Sequence, residues 1–333
     1  MSVLVTGAAG FIGSHLCKAL LDRGLYVIGV DNLSRGKFDS VEPLIVNPRF
    51  SFVEGDVRSI LDLDQTVTDV EYIFHLASVV GGIGVYRANP HSILATNLEI
   101  DAAVTRFLTS RKPGGIFYAS SAHVYPLHLQ QGPRVESIME SDAYPALPCL
   151  TYGWSKLMGE QLIAAAYNES PTFTYAFGRL VGIYGPGQDI EIGTASVLPV
   201  IIRRHLEHPK YGMTFWGDGT EKRTYCYIDD CVDALLKIYS AAGDGVTLNC
   251  ALNIGSEEEF SINELVSIVR ELTEKKGLPE PTWDLARPAT IEHQKCSILL
   301  AARELTWRPT TPMRVGLSAL INDIKGRVQF AGY

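Results

Sequence analysis

The sequence predicts an α/β protein, a Rossmann-type doubly wound parallel sheet followed by a smaller C-terminal α/β domain. Three observations carry this. The apolar run Val3-Leu4-Val5 leads straight into Gly7-Ala8-Ala9-Gly10-Phe11-Ile12-Gly13, behind which residues 14–21 keep helical spacing. A second short apolar strand, 26–30, closes on an acid, Asp31. Short apolar strands then keep alternating with helical stretches, the pattern of a parallel sheet covered on both faces.

Taken in order, each element has a local reason. Gly7 permits a tight turn, Gly10 lets backbone approach a pyrophosphate, and Gly13 lets helix and strand pack closely. The helix N-terminus behind them presents free N–H groups and a positive dipole end to phosphate. Gly24 ends the helix, and strand 26–30 follows. Asp31 stands about 20 residues beyond the glycines, where a carboxylate accepts hydrogen bonds from an adenosine ribose. An acid there repels a 2′-phosphate and favours NAD, although Arg35 nearby is suited to a phosphate. Further strands are expected at 50–54, 72–77 and 115–120, with a helix at 92–109 and another running from Tyr152 to about residue 168. Ligands of such sheets sit beyond the carboxyl ends of the strands, so residues just after the fourth and fifth strands are candidates for chemistry.

After about Tyr184 proline and glycine become denser, a polar helix is expected at 262–276, and a last helix from about Met313. The first domain is therefore drawn as 1–180 plus about 224–255, and the second as 181–223 and 256–333. Segment 226–239 and the strand at Asn253-Ile254-Gly255 are expected to return to the first.

Composition narrows the function classes. With 333 residues the chain can bury a substantial core, and 46% hydrophobic and 20% charged residues are ordinary for a globular protein. The net charge of −8 and the lack of a basic stripe argue against nucleic-acid binding. No apolar stretch approaches the ~20 residues needed to span a bilayer, and the start reads as a strand without a leader. The six cysteines have no metal-type spacing. A cytoplasmic protein with reduced thiols, no metal and no membrane partner is expected.

Chemistry concentrates after the fifth strand, in Ser120-Ser121-Ala122-His123-Val124-Tyr125-Pro126, and in Tyr152-Gly153-Trp154-Ser155-Lys156. Tyr152 and Lys156, four apart, share a helical face. An ammonium near a phenol favours the phenolate, and Ser121 can orient a substrate alcohol. Together they describe a general base that takes an alcohol proton while hydride leaves the same carbon for nicotinamide.

These residues resemble the extended short-chain dehydrogenase/reductase family of NAD-dependent nucleotide-sugar epimerases, dehydratases and reductases. The resemblance spans nearly the whole chain and includes the glycine turn, Asp31-Asn32-Leu33, Gly55-Asp56, His75-Leu76-Ala77, Asn97, Ser120-Ser121, Tyr152 with Lys156, Tyr184-Gly185-Pro186, Trp216-Gly217-Asp218-Gly219 with Arg223, and Asn253-Ile254-Gly255. It implies catalysis by Ser121, His123, Tyr152 and Lys156. It implies NAD held by Gly7, Gly10, Phe11, Ile12, Gly13, Asp31, Asn32, Arg35, Asp56, Val57, Leu76, Ala77, Ser78, Asn97, Tyr152 and Lys156. A nucleotide-diphosphate sugar would lie against Gly81, Gly82, Ser121, His123, Arg179, Val197, Trp216, Arg223 and Arg287. A homodimer built on the two long helices is implied as well.

Within the family, Val80-Gly81-Gly82-Ile83-Gly84 and segment 118–126 look most like GDP-mannose 3,5-epimerases and GDP-fucose synthases, so a GDP-sugar is favoured, with UDP, ADP or CDP open. The chain departs from them at the acid/base positions. His123 replaces a cysteine, and Ser196-Val197-Leu198 replaces a lysine or histidine before Pro199. Gly182 stands where relatives carry a phosphate-binding asparagine. A C-terminal arginine is missing around Glu292-His293, leaving Arg287, Lys295 or His293 as substitutes. The leading expectation is an NAD-dependent nucleotide-sugar epimerase acting through transient C4 oxidation. The alternatives are a C4 oxidase, 4-keto reductase or 4,6-dehydratase, and outside enzymes a nucleotide-sensing binding protein. His15, His75, Cys226 and Cys231 read as packing residues, and Glu257-Glu258-Glu259 as a solvated helix start.

Overall fold

The computed structural model describes residues 2–61, 67, 69–132, 136–287 and 291–330. Residues 1, 62–66, 68 and 133–135 of the anticipated first domain, and 288–290 and 331–333 of the second, lie outside the described residues.

Strands β1 (Ser2–Thr6), β2 (Val27–Asp31), β3 (Phe50–Glu54), β4 (Val70–His75), β5 (Gly115–Ser121) and β6 (Thr174–Leu180) form a parallel sheet in the order 3-2-1-4-5-6. Between them run helices α1 (Phe11–Asp22), α2 (Ile83–Ala88), α3 (Pro90–Arg111) and α4 (Thr151–Glu169). The order reverses between β1 and β4, which opens a crevice at their carboxyl ends. β5 is buried at all seven positions, as expected of a central strand with both faces covered.

Next come β7 (Ile183–Tyr184), α5 (Val197–Leu206), β8 (Thr214–Trp216), β9 (Lys222–Thr224), β10 (Cys226–Tyr227) and α6 (Ile228–Gly243). The chain returns to the sheet at β11 (Cys250–Ile254), which pairs in parallel with β6 as its seventh strand. It ends with β12 (Glu259–Ser261), α7 (Ile262–Thr273), β13 (Thr282–Asp284), β14 (His293–Gln294), α8 (Leu299–Leu305) and α9 (Met313–Phe330).

A large core fills the space between the sheet and α3 and α4 through Val104, Phe107, Ile116 and Ile163, and two more flank it. One joins the α1 side of the sheet to α6 through Leu16, Leu20, Phe74, Phe117, Cys231 and Leu235. The other packs α5, α7 and α9 on one another through Ile201, Leu265, Val269, Leu317 and Ile321. Each fully buried aliphatic side chain contributes ~1.5–3 kcal/mol to such cores.

The division anticipated from sequence needs one change. Ile298, Ala301, Leu305 and Trp307 join the core under the sheet, and Trp307 Nε1 donates to the Asp230 carbonyl at 3.0 Å. Their apolar face has no place among α5, α7 and α9, so the stretch around α8 packs with the first lobe. The acidic run is also not a helix start. Glu259 lies in β12, and α7 opens at Ser261, whose side chain and Glu264 cap each other.

Candidate active site

The glycine turn is built by close approach. Gly7 has φ +74°, and a Cβ there would stand 2.8 Å from Ala77 N. A Cβ on Gly13 would fall 2.0 Å from Gly7 O, so no other residue lets α1 start this close to β1. Helix α1 begins at Phe11, three residues earlier than its spacing suggested, and Gly10 supplies no side-chain cap. The first-turn N–H groups of Phe11, Ile12 and Gly13 therefore point outward for an anion.

That turn is one end of a cavity of about 1300 Å³, larger than the 300–1,000 Å³ usual for one small ligand. Asp31 lines it and also braces the turn, accepting from Ala9 N at 3.0 Å and Leu33 N at 2.9 Å. Arg35 lines it too, but its guanidinium reaches Asp189 at 3.4 Å. Asp56 caps the turn holding Val57, and accepts from Arg58 at 2.8 Å and from Asn32 at 3.2 Å. Those bonds, the Arg58 guanidinium first, hold its carboxyl down at about 2. Leu76, Ala77 and Ser78 follow β4 on the same wall. Ser78 Oγ, Gln188 Nε2 and Tyr225 OH line the cavity, buried, with no hydrogen-bond partner among the described residues. Unpaired buried groups of this kind fit a polar ligand such as a dinucleotide.

Two expected contacts fall elsewhere. Asn97 turns away from the cavity: its amide accepts from Val79 N at 2.7 Å and donates to Val79 O, holding the loop after β4. Arg179 is 3% exposed and bidentate on Glu160 of α4, at 3.0 and 2.8 Å. A buried carboxylate demands a partner, so this guanidinium is taken by the fold and not by a sugar.

Ser121 ends β5, and Tyr152 and Lys156 stand one turn apart at the start of α4, all buried and all on the cavity wall. Ser121 Oγ lies 3.2 Å from His123 Nδ1 and accepts from His123 N at 3.2 Å. The Tyr152 phenol has Ser121 and Tyr86 within hydrogen-bonding reach. Lys156 Nζ sits 6.0 Å from the Tyr152 ring centre and 4.9 Å from that of Tyr118.

Burial dominates and pushes Tyr152 well above its usual value, while Lys156 is itself pushed down by burial and opposed by Asp101 and Glu160. His123 is pulled down to about 4, by burial first and then by the Arg223 charge, so it is neutral at pH 7.

Across the cavity, Gly82 N donates to Thr194 O at 2.8 Å, and a Cβ on Gly82 would meet Ala195 O at 2.7 Å. Gly81, Val197, Trp216, Arg223 and Arg287 all line the wall. Arg223 donates to the carbonyls of Lys222 and Ile291, and Arg287 lies over the Trp216 indole at 5.1 Å. Of the three substitutes for the missing arginine, Arg287 faces the cavity, whereas Lys295 and His293 turn to Glu259.

The model of the NAD dependent epimerase/dehydratase family matches residues 3–255. The chain belongs to that family. Its cofactor is NAD, and it is an enzyme of that family. Over 329 residues it is 29% identical to GDP-mannose 3,5-epimerase of Arabidopsis thaliana, covering 99% of this chain and 83% of that one. It is 28% identical to UDP-glucuronic acid decarboxylase 1 of the same plant, over 98% of this chain and 71% of the relative. In structure it is similar to UDP-glucuronic acid 4-epimerase from Bacillus cereus in complex with UDP-glucuronic acid and NAD, with TM-score 0.83, 26% identity, and coverage of 98% and 100%.

His75 is buried between Thr6 Oγ1 and Asp101, and His15 reaches the Pro186 carbonyl at 3.0 Å. All six cysteines are free, and no helix among the described residues is long and apolar enough to cross a membrane. Sequence reasoning missed Tyr86 and Arg204, both on the cavity wall. An aromatic just behind Gly81-Gly82 was the available signal for the first, and none marked the second.

Proposed function

We propose that this enzyme is an NAD-dependent nucleotide-sugar epimerase that inverts C4 through a transient 4-keto sugar. One observation carries the reading: Ser121, Tyr152 and Lys156 meet on the wall of the same cavity that begins at the glycine turn. Bound NAD would supply the hydride acceptor, held by the α1 N-terminus, Asp31 and the wall after β4. Ser121 orients the C4 hydroxyl, Tyr152 removes its proton and later returns it, and Lys156 keeps positive charge beside the phenol. Return of the hydride to C4 would leave the bound cofactor unchanged over a turnover, so no added oxidant is needed.

C4 is favoured over C3 and C5 by the groups beside the sugar. Proton exchange next to the ketone needs a competent base and a partner to return the proton. His123, held near 4, is a weak base at neutral pH, and Val197 at the second position cannot titrate. Ser121 beside Nδ1 instead makes His123 a positioning group for the serine.

A GDP-sugar is the preferred substrate in this proposal. Arg204 lines the cavity beside Phe215 and donates one terminal N–H to the Gly212 carbonyl, while its Nε is buried without a partner among the described residues. Guanine offers paired acceptors, O6 and N7, to an arginine. Incubation with a panel of GDP-, UDP-, ADP- and CDP-hexoses, followed by NMR and mass spectrometry, should give the C4 epimer, fastest from a GDP-hexose. Loss of water would point instead to a dehydratase, and stoichiometric NADH to an oxidase. The exposed Trp154 and Met158 of α4 suit a second copy. Light scattering should accordingly give twice 36.5 kDa, and a monomer would remove that part of the proposal.

A further inference from the structure

Behind the cavity wall, α3 and α4 enclose a carboxylate that does not reach the cavity itself. Asp101 of α3 is buried, and its two oxygens take different partners. Oδ2 accepts from the Tyr118 hydroxyl at 2.8 Å, and Oδ1 lies 3.1 Å from His75 Nε2. The imidazole continues the chain, since His75 Nδ1 stands 2.7 Å from Thr6 Oγ1, which also accepts from Ala77 N at 3.3 Å. Burial pulls His75 below its usual value, so it is neutral at pH 7. A neutral imidazole facing a carboxylate carries its proton on Nε2 and accepts at Nδ1. Every group is hydrogen-bonded, yet none of these partners brings Asp101 a positive charge.

A buried carboxylate without a counter-charge is costly, and one cation stands near. Lys156 of α4 is buried as well. Its ammonium sits over the face of Tyr118, 4.9 Å from the ring centre, and the hydroxyl of that same ring is the one donating to Asp101. Gly159, three residues further along α4, permits this approach, because a Cβ there would stand 2.5 Å from Asp101 Oδ2. Glu160 is the other carboxylate that acts on Lys156, but Arg179 holds both its oxygens, so its charge is already offset. Among the described residues Asp101 has only the neutral His75 as an ion-pairing neighbour.

We propose that Asp101 is a positioning residue that acts through Lys156, as the buried counter-charge that keeps the ammonium protonated beside Tyr152. This rests on the reading of Lys156 as the charge next to the base. Burial pushes Lys156 down, and the charges of Asp101 and then Glu160 push it back up. The same Asp101 carboxylate works against ionisation of Tyr152, adding to the burial that holds the phenol up. A negative charge favours the protonated form of both groups, so Asp101 moves the two titrations in one direction. The titratable groups facing the pair are His75 on β4, Tyr118 on β5, and Tyr152 and Glu160 on α4, with His123 behind β5 and Tyr86 on α2 against the Tyr152 ring.

The test uses the holoenzyme with NAD bound, carrying lysine labelled with carbon-13 at Cε, and Lys156→Met assigns the Lys156 signal. In Asp101→Asn the side chain keeps its size, and His75 can take its other tautomer to accept from the new amide. Ionisation of Lys156 should then move down by about one pH unit. Asp101→Ser also removes the charge, should move it the same way, and serves if the asparagine variant does not fold. Tyr118→Phe removes a hydrogen bond but no charge, and should leave the Lys156 titration in place. An unmoved titration in the Asp101 variants overturns the proposal. A shift in Tyr118→Phe as large as in Asp101→Asn does the same, by assigning the cluster to packing alone. Both limbs of the kcat profile should move to lower pH in Asp101→Asn, and a loss of kcat with both limbs in place would contradict the proposal. Failure of every nucleotide hexose to turn over would remove the epimerase reading, while the Lys156 titration would still report on Asp101.

Discussion

Tyr152→Phe should lower turnover by roughly 10³-fold or more, within the range seen when a general base is removed, while NAD stays bound. The phenol is the candidate group positioned to take and return the C4 proton, with Ser121 and Tyr86 arranged about its oxygen. Phenylalanine keeps the ring stacked against Tyr86 and edge-on to His123, so the fold and the cavity survive the change. Circular dichroism should be unchanged and the protein should still retain NAD through dialysis. Activity within tenfold of wild type would show that the proton travels by another route.

The second large effect concerns stability. Arg179→Met should cost about 3–5 kcal/mol, the usual penalty for stranding one partner of a buried ion pair, read as a lowered urea midpoint. Arg179 and Glu160 are each about 3% exposed, and the arginine also donates to the Tyr125 hydroxyl and to the Glu140 carbonyl. Ser120, next to Ser121, donates to the same Glu160 carboxylate at 2.5 Å. Removing the guanidinium leaves that carboxylate uncompensated between β5, β6 and α4, just behind the candidate catalytic serine. The double variant Arg179→Met, Glu160→Leu should recover most of the loss, because matched apolar groups replace a buried pair at little cost. A single variant losing under ~1 kcal/mol would mean that water reaches the carboxylate.

What could be read from sequence follows a physical line. Gly7, Gly10, Gly13 and Asp31 act through local backbone geometry, so their spacing discloses both the turn and its ligand. Tyr152 and Lys156 share one helix face, and Ser121 ends a strand whose apolar run is visible in the chain. Arg179 and Asn97 carry no such mark. Their partners, Glu160 and Val79, are brought to them by tertiary packing, and a polar residue after a strand looks the same whether it meets a ligand or a buried carboxylate.

The second lobe was hardest to see. Strands β8 to β10 and β12 to β14 have two or three residues each, too short for alternation to appear, and β9 pairs with strands drawn from far along the chain. Tyr86 escaped for a related reason, since a six-residue helix has no period to read. Sequence shows that Tyr152 and Lys156 are close but not that both are buried, and burial is the largest influence on the phenol.

The most direct test of the central claim is to run the epimerisation in D2O with the sugar that the panel identifies, and to locate deuterium in the product by NMR. Hydride that leaves C4 and returns to C4 never meets solvent. The account therefore predicts a C4 epimer carrying no deuterium at any ring carbon. Deuterium at C3 or C5 would contradict it and make His123 an acid/base that exchanges protons beside the ketone.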